Sequence, residues 1–503
     1  MGYKAASGAT EDKTFSWTGL VNLIRPHRTE LDIAARPSDG LIVFSAIWGL
    51  ATILSIAERT WALGGEVGIA IAASQWITLL ACLALIARPR QTWLLGLIAA
   101  AMAAQYVYRL PVISNNQTIA FFMNSCIVTV LGVEIVRNRS IAIDRDEAYE
   151  RLRVVARALL AVMYFYGIFH KINNDFLDPN VSCAVSLYDP LARPFGLDQN
   201  IVGRYAAIAS TFIVELIAMV ALYWRRFFWL GLILALMFHY IIPLSAFSWY
   251  MDFSCLVFAL YVMATPREVS AGLYSTVVAL LRSLPVRSPG NAALLTLVAL
   301  LIVSTLIVYF VAQGYPPRAQ KLLWHSSWLV VWAVVGGATM VLLTRAALLA
   351  MPYSEGYGNR QPLWLYLFPA TLFVTSLSPY LGLKTESSIA MFSNLHTEGG
   401  QTNHLLLNPP PYIASYQRSL VRIVDSNDGY LRRIAAGGGY EVKYELARQL
   451  RDKPGAWVTY EENGKLREGI TGKTIDYPHP SFIESRFLAF KPVDFTRPKV
   501  CTH

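Results

Sequence analysis

The 503-residue chain is 55% hydrophobic and 15% charged, with a formal net charge of +10 and a mean hydropathy of +0.41. This composition excludes a disordered chain, a secreted disulfide scaffold and a nucleic-acid binder with one basic soluble face. Long uncharged stretches recur between Gly40 and Leu377. Because a helix needs about 17–25 such residues to cross ~30 Å of hydrocarbon, we predict a multi-pass membrane protein.

Eleven segments have the apolar character of membrane-spanning helices. They cover residues 40–57, 67–87, 93–108, 119–136, 154–172, 201–223, 227–244, 249–264, 292–311, 324–344 and 363–377. The predicted fold is therefore an all-α polytopic membrane helix bundle of about eleven transmembrane helices. The last three spans belong to residues 267–378, and an amphipathic stretch before them, residues 269–284, is predicted to lie along the inner interface.

The basic residues predict the orientation of the bundle, because lysine and arginine beside membrane helices favour the cytoplasmic side. With the N-terminus inside, the inner segments hold twenty basic residues and the outer segments hold six. Residues 1–39 are then a cytoplasmic segment, and they lack the apolar core of a cleavable signal peptide. An odd number of spans places the C-terminal part outside. We expect an integral protein of the cell membrane, or of the inner membrane in a bacterium.

The five cysteines divide by position. Cys82, Cys126 and Cys255 fall within predicted spans, where cysteine acts as a small apolar residue. Cys183 and Cys501 would both lie outside, where an oxidising compartment could pair them. No CxxC motif or Cys/His cluster is present, so no metal site is predicted.

The composition changes after residue 378, where the chain becomes charged and rich in tyrosine. Residues 379–503 are predicted to form a small α/β extracytoplasmic domain. Its clearest element is a hairpin within 457–470, because Asn463-Gly464 separates two extended runs and favours a tight turn.

Three further segments of this domain have weaker patterns. Residues 440–450 have helical spacing. The glycines at 437–439 before them are interpreted as a helix-entry loop, with a phosphate cradle as the alternative. Residues 394–404 are polar and contain two histidines, which leaves two interpretations open: a surface loop, which we favour, and a metal or substrate loop.

Ionisable residues inside predicted spans are the first candidates for function, because each costs at least ~2.5 kcal/mol at mid-bilayer. They are Lys171, Glu215, His239 and Asp252. From ~1.5 Å of rise per residue, three of them lie toward the outer face. We predict that these three, Lys171, His239 and Asp252, share an outward-facing cavity.

Each of these three residues also has a purely structural interpretation. Lys171 could be a snorkelling anchor at a helix end. His239 could be a hydrogen-bonded histidine of the bundle, and Asp252 could be an interfacial residue at a helix start.

Glu215 lies deeper in its span than the other candidates. A carboxylate at that depth needs a partner such as Arg204, Arg157 or a polar neighbour, or must stay protonated. A structural pairing and a catalytic role are both open.

The sequence YFYGIFHKINNDF at residues 164–176 resembles the segment of the vitamin K-dependent gamma-carboxylases that carries their paired lysines. It thereby resembles the broader horizontally transferred transmembrane (HTTM) domain. Three later stretches are similar to further parts of the family pattern: residues 215–216, 238–247 and 264–266. The resemblance covers residues 40–266, which are expected to form this transmembrane domain.

The resemblance implies that Lys171 corresponds to the catalytic lysine of the family. There the lysine deprotonates vitamin K hydroquinone on the extracytoplasmic side, and oxygenation of the quinol drives abstraction of a glutamyl proton. The chain departs from the family at two positions: His170 stands where the carboxylases have the first lysine of the pair, and Phe176 replaces a tryptophan. The region that grips the propeptide is not recognisable.

Our first hypothesis is a membrane enzyme of the carboxylase-like class, a lyase that uses a lipid-soluble quinol, with Lys171 as general base and His239 as an assisting hydrogen-bond group. A base must be neutral, and burial among aromatic residues disfavours a charged lysine. The predicted quinol contacts are Tyr164, His170, Glu215 and Asp252. Tyr164 precedes Lys171 by seven residues and lies on nearly the same helix face. The implied partners are membrane lipid, the quinol and a protein or peptide substrate, with no nucleic acid.

The second hypothesis is a non-catalytic membrane module that anchors an extracytoplasmic interaction domain for maturation, export or immunity. A transporter is a third and weaker option, because inverted repeats and broken helix pairs are not visible. The cavity discriminates the first two hypotheses. The enzyme requires Lys171, His239 and a carboxylate to converge, whereas the module predicts that Lys171 points to the lipid headgroups.

Overall fold

The computed structural model describes residues 39–62, 69–141, 143–245, 250–286, 288–313, 317–353 and 361–501. The predicted cytoplasmic segment 1–39 lies outside the described residues except for its last residue. The described residues belong to one compact unit, residues 37–503.

The described part of the chain is mostly helical. Its α-helices are α1 (Asp39–Ala62), α2 (Ile69–Ala87), α3 (Thr92–Arg109), α4 (Asn115–Asn138), α5 (Arg145–Phe169), α6 (Asn174–Leu177), α7 (Cys183–Ala192), α8 (Ile201–Ala221), α9 (Phe228–Leu244), α10 (Met251–Ala264), α11 (Arg267–Arg282), α12 (Pro289–Ala312), α13 (Pro317–Leu349), α14 (Leu367–Ser376), α15 (Gly429–Ala436), α16 (Lys443–Asp452) and α17 (Phe482–Phe487). Helix α11 coincides with the amphipathic stretch predicted over 269–284.

Within the described residues, seven helices are long and apolar enough to cross a membrane. Their apolar parts are Asp39–Ala57, Asn115–Asn138, Arg145–Phe169, Ile201–Ala221, Arg225–Leu244, Pro289–Val311 and Ser326–Leu349. Three further predicted spans coincide with shorter apolar helices, Ala73–Ala87, Met251–Ala264 and Leu363–Ser376. The remaining predicted span, 93–108, is helical as α3 but belongs to neither set.

Helix α10 lies at the centre of the bundle. All of its residues are buried, and it packs against α1, α5 and α9. Its sequence is apolar around the whole helix, with Asp252 in its first turn, and a helix of that kind is stable only when neighbours cover every face. Helix α10 therefore fixes the positions of the helices that surround it.

Two arginines near the start of α5 and of α11 form ion pairs that hold helices together. Arg151 pairs with Glu134 at 2.6 Å, and Glu150 pairs with Arg267 at 2.7 Å. The first of these pairs is almost completely buried. These arginines join α4, α5 and α11 at the end of the bundle where α5 begins, so they contribute to packing as well as to charge asymmetry.

The C-terminal part contains an antiparallel sheet of four strands, in the order β2-β1-β3-β4. The strands are β1 (Leu420–Ser426), β2 (Tyr440–Val442), β3 (Trp457–Glu462) and β4 (Lys465–Thr471). The predicted hairpin is confirmed as β3–β4, and its turn residues Asn463 and Gly464 both have positive φ, 51° and 73°. Helices α15 and α16 supply Leu431, Ile434, Leu446 and Leu450 to the core beside the sheet.

Two local predictions in this region need correction. The helix predicted over 440–450 begins only at Lys443, because residues 440–442 pair with β1 as strand β2. The glycines at 437–439 are not a helix-entry loop, since they follow α15 and lead into that strand. These glycines lie where the backbone reverses direction between α15 and strand β2, which returns beside β1.

Residues 384–404, which we call the covering segment, pack on the end of the bundle where α5 ends and α10 begins. Ile389 N donates to Asn115 Oδ1 at 2.7 Å, and Asn173 Nδ2 donates to Ser393 O at 2.6 Å. A disulfide joins Cys183 to Cys501 at the same end of the bundle. The favoured surface-loop prediction for 394–404 is therefore wrong: most of these polar residues are buried because they bond to the ends of the helices.

Candidate functional site

The end of α5, the facing sides of α8 and α9, and the covering segment enclose a cavity. Its empty space is about 550 Å³, counting the part open to the outside. The polar side chains on its wall are Tyr164, Lys171, Thr211, Glu215 and His239. The apolar wall comes from α5 to α10 and the covering segment, and includes Phe176, Phe238, Phe253, Ile389, Met391 and Phe392.

Lys171 and Glu215 form a buried pair in this wall. Lys171 Nζ donates to Glu215 Oε1 at 2.5 Å, and the two residues are only 4% and 6% exposed. The lysine lies in the turn that ends α5, and the glutamate comes from the middle of α8. Gly167 makes the approach of the glutamate possible, because a Cβ there would lie 3.1 Å from Glu215 Oε2. Lys171 therefore does not point to lipid headgroups.

Three aromatic side chains from different helices form a hydrogen-bonded chain beside the pair. Tyr261 OH donates to Tyr164 OH at 3.2 Å, and Tyr164 OH lies 3.2 Å from His239 Nε2. The edge of the His239 ring packs against Phe253, with ring centroids 5.1 Å apart. These hydrogen bonds use Nε2 of His239 and fix the orientation of its imidazole ring.

Two polar atoms of this site are left without a hydrogen-bond partner among the described residues: Glu215 Oε2 and His239 Nδ1. Buried polar atoms are usually bonded, so an unpartnered pair in a cavity indicates a place for a ligand or water. A carboxylate oxygen accepts a hydrogen bond, and an imidazole Nδ1 donates one when Nε2 is the acceptor. The wall can therefore bind a molecule that carries both a hydroxyl and an oxygen acceptor.

The remaining surroundings of Lys171 are apolar. Its Nζ lies 5.7 Å from the centroid of the Phe176 ring. Phe176 is completely buried, and Asn173 holds it there by accepting a hydrogen bond from the Phe176 backbone N at 2.8 Å. Because these surroundings have a low dielectric constant, a charge on Lys171 interacts strongly with a charge on Glu215.

His170 does not line the cavity, although we predicted it as a quinol contact. Its Nδ1 lies 2.7 Å from Tyr380 OH, and its Nε2 lies 3.1 Å from Ser388 O. Both nitrogens are thus used to attach the end of α5 to the C-terminal part. The prediction failed because the direction of a side chain in a helix-ending turn depends on the chain that packs over it.

Asp252 is also absent from the wall of this cavity, so its predicted place beside Lys171 is wrong. It lines a second cavity of about 320 Å³ together with Trp48, Asn116 and Asn124. Asn116 Nδ2 donates to Asp252 Oδ2 at 2.7 Å. The prediction considered only the position of Asp252 along its helix, and rotation about the helix axis turns the side chain toward α1 and α4.

Glu215 pairs with Lys171 and with neither of the two arginines named as possible partners. Arg204 pairs with Asp189 at 2.9 Å, and Arg157 donates to Ala264 O at the same distance. Sequence reasoning also missed Tyr261, which the helical pattern marks only as a core residue. It missed the covering segment as part of the cavity wall, since residues more than 200 positions away carry no local signal.

Metal binding has no visible basis here. In the described ranges, no group of three or more His, Cys, Asp or Glu side chains is arranged to hold a metal ion. The polar atoms of the cavity wall are instead one carboxylate, one amine, one imidazole and two hydroxyls.

Comparison with known proteins adds no relative to this description. No family model, no curated protein and no solved structure matches the chain. The resemblance of residues 164–176 to the gamma-carboxylases therefore remains a prediction.

Proposed function

We propose that the chain is a multi-pass membrane enzyme of the carboxylase-like class, in which Lys171 acts as a general base on a lipid-soluble quinol. The bundle would cross the membrane eleven times, with residues 1–39 in the cytoplasm and residues 379–503 outside. Seven long apolar helices and three shorter ones support this arrangement. It is also supported by the position of the C-terminal part at the same end of the bundle as Lys171.

The observation that carries the proposal is the convergence of Lys171, Glu215 and His239 in one apolar cavity. This is the arrangement that an acid–base site requires and that a lysine anchored at lipid headgroups would lack. The unpartnered Glu215 Oε2 and His239 Nδ1 fit the hydroxyl and oxygen acceptor of a quinol.

The lysine must be neutral before it can accept a proton. Glu215 supports this state, because Nζ and Oε1 are close enough for the proton to move to the carboxylate and leave a neutral pair. When bound, the quinol would supply an acidic hydroxyl and the electrons that reduce dioxygen. Lys171 would accept the hydroxyl proton, and His239 would donate a hydrogen bond from Nδ1.

A second candidate is the membrane module that presents an interaction domain. It is favoured by β4, whose outer edge has no strand partner within the described sheet and whose residues 465–469 are exposed. Such an edge can accept an added strand from a peptide. A protein or peptide substrate of the enzyme would use the same edge.

The test is quinol-dependent oxygen consumption, with epoxide formation, by the purified protein in lipid nanodiscs. We expect wild-type turnover and a loss of about 10²–10⁴-fold in Lys171→Ala and a smaller loss in His239→Ala. Lys443→Ala is the matched control, because Lys443 also pairs with a glutamate, Glu462, but lies in the C-terminal sheet domain. Wild-type protein that oxidises no quinol, or Lys171→Ala with full turnover, would sink the enzyme proposal and leave the module.

A further inference from the structure

Large apolar side chains are exposed at two places on the C-terminal part. Phe482 and Ile483, at the start of α17, are 77% and 75% exposed, and Leu405 and Leu406 are 49% and 64% exposed. Adjacent exposed residues of this size form apolar patches, and such patches mark sites of interaction. We call them the phenylalanine patch (482–483) and the leucine patch (405–406).

The phenylalanine patch is attached to the end of α3. Arg486 Nη1, one turn farther along α17, donates to Tyr108 O at 3.0 Å and to Leu110 O at 3.3 Å. Tyr108 is itself an exposed aromatic residue of the outer surface of the bundle. The patch therefore lies beside the apolar side of a helix and at the level where that helix ends.

The leucine patch is attached to the end of α5 in the same way. Leu405 N donates to Ile172 O at 2.9 Å, three residues after α5 ends. His404, the preceding residue, bonds to Phe169 O at 2.9 Å and is buried. The buried histidine fixes the backbone of the two exposed leucines that follow it, beside the end of α5.

We propose that both patches insert into the outer lipid interface and hold the C-terminal part on the membrane at the end of the bundle where Lys171 lies. This rests on the membrane location in the proposed function. Apolar side chains at the boundary of headgroups and acyl chains are stabilised by leaving water, and the phenylalanine patch continues the exposed apolar surface of α3 at Val107 and Tyr108.

Charge supports lipid as the occupant. The guanidinium of Arg486 lies 5.8 Å from the centroid of the Phe482 ring and is exposed. Arginine beside an aromatic residue suits the interface, where the ring enters the acyl boundary and the guanidinium binds phosphate. Glu484 is turned back toward Ser481 and Tyr416, which accounts for the acidic residue of α17.

The experiment is spin labelling of single engineered cysteines in nanodiscs of phosphatidylcholine and phosphatidylglycerol. Native cysteines do not interfere, because Cys82, Cys126 and Cys255 are buried and the other two are bonded. Nitroxides are placed by Ile483→Cys, Leu406→Cys and two controls. Ile302→Cys lies on the exposed side of α12, and Leu466→Cys lies on β4 of the sheet. Collision rates with dioxygen, which partitions into lipid, and with a water-soluble nickel chelate report depth.

We expect the oxygen-to-nickel collision ratio at positions 483 and 406 to exceed that at 466 several-fold and to fall below that at 302. A high ratio at 302 with ratios at 483 and 406 equal to that at 466 would overturn the inference while leaving the membrane location intact. Low collision rates with both reagents at 483 or 406 would mean that protein covers the patch, which also overturns it. A low ratio at 302 would instead reject the membrane location itself.

Discussion

Consecutive residues at the end of α5 belong to two different regions of the molecule. Lys171 faces the cavity and pairs with Glu215, whereas His170 faces the covering segment and bonds to Tyr380 and Ser388. Both residues are buried and both are polar. They differ in whether the polar atoms around them lack a hydrogen-bond partner.

On the cavity side, Glu215 Oε2 and His239 Nδ1 have no partner in the described structure. On the covering side, both ring nitrogens of His170 are bonded to the protein. A buried polar group whose bonds are complete stabilises the fold, and one with an open bond beside it can act on a ligand. The two adjacent residues therefore differ in role: His170 attaches the end of α5 to the C-terminal part, and Lys171 lies beside polar atoms that can bind a ligand.

Removing one member of the Lys171–Glu215 pair should have the largest effect on stability. Glu215→Leu leaves a buried amine without its acceptor, and we expect a loss of about 3–5 kcal/mol. The double variant Lys171→Met with Glu215→Leu should recover most of it, because two apolar residues of similar size need no partner. Unfolding in detergent at fixed lipid content measures both. Equal stability of the single and double variants would show that the pair is not buried as described.

The disulfide should come next, since it ties α7 to the C-terminal end across 318 residues. Cys183→Ala with Cys501→Ala should lower the free energy of unfolding by about 2–4 kcal/mol. Cys126→Ala is the control for loss of a buried cysteine without a bond. Protease digestion of the folded protein should release the C-terminal fragment faster in the double variant, and unchanged release would contradict a bond in the mature protein.

His170 tests the covering side alone. His170→Phe keeps the ring volume but leaves Tyr380 OH and Ser388 O without their partner, so we expect a loss of about 1–3 kcal/mol. Combining it with Tyr380→Phe should cost less than the sum of the two single changes, because the two side chains share one hydrogen bond. A double-mutant cycle by thermal unfolding measures this coupling, and strict additivity would argue against the contact.

Asp252 should give the smallest effect on turnover. Asp252→Asn keeps the shape of the second cavity, which shares no lining residue with the Lys171 cavity. We expect quinol turnover to stay at the wild-type level in the nanodisc assay. A loss comparable to that of Lys171→Ala would mean that the two cavities communicate.

The local features of this protein could be predicted from its residues alone. Apolar length predicted helices that coincide with α1 to α14 wherever a span was expected, and Asn463-Gly464 predicted the β3–β4 turn. A spacing of seven residues correctly placed Tyr164 and Lys171 on the wall of the same cavity. These features depend on neighbours a few residues apart, so periodicity and turn preference suffice to find them.

Tertiary structure decided everything that required rotation about a helix axis or contact across the chain. Only packing shows that Glu215 pairs with Lys171 and that Asp252 turns away from both. Only packing brings the covering segment over a cavity whose other lining residues are more than 130 positions earlier in the chain. The physical reason is that a buried polar group selects its partner by proximity in space, and a single sequence records the residue types but not the distances between them.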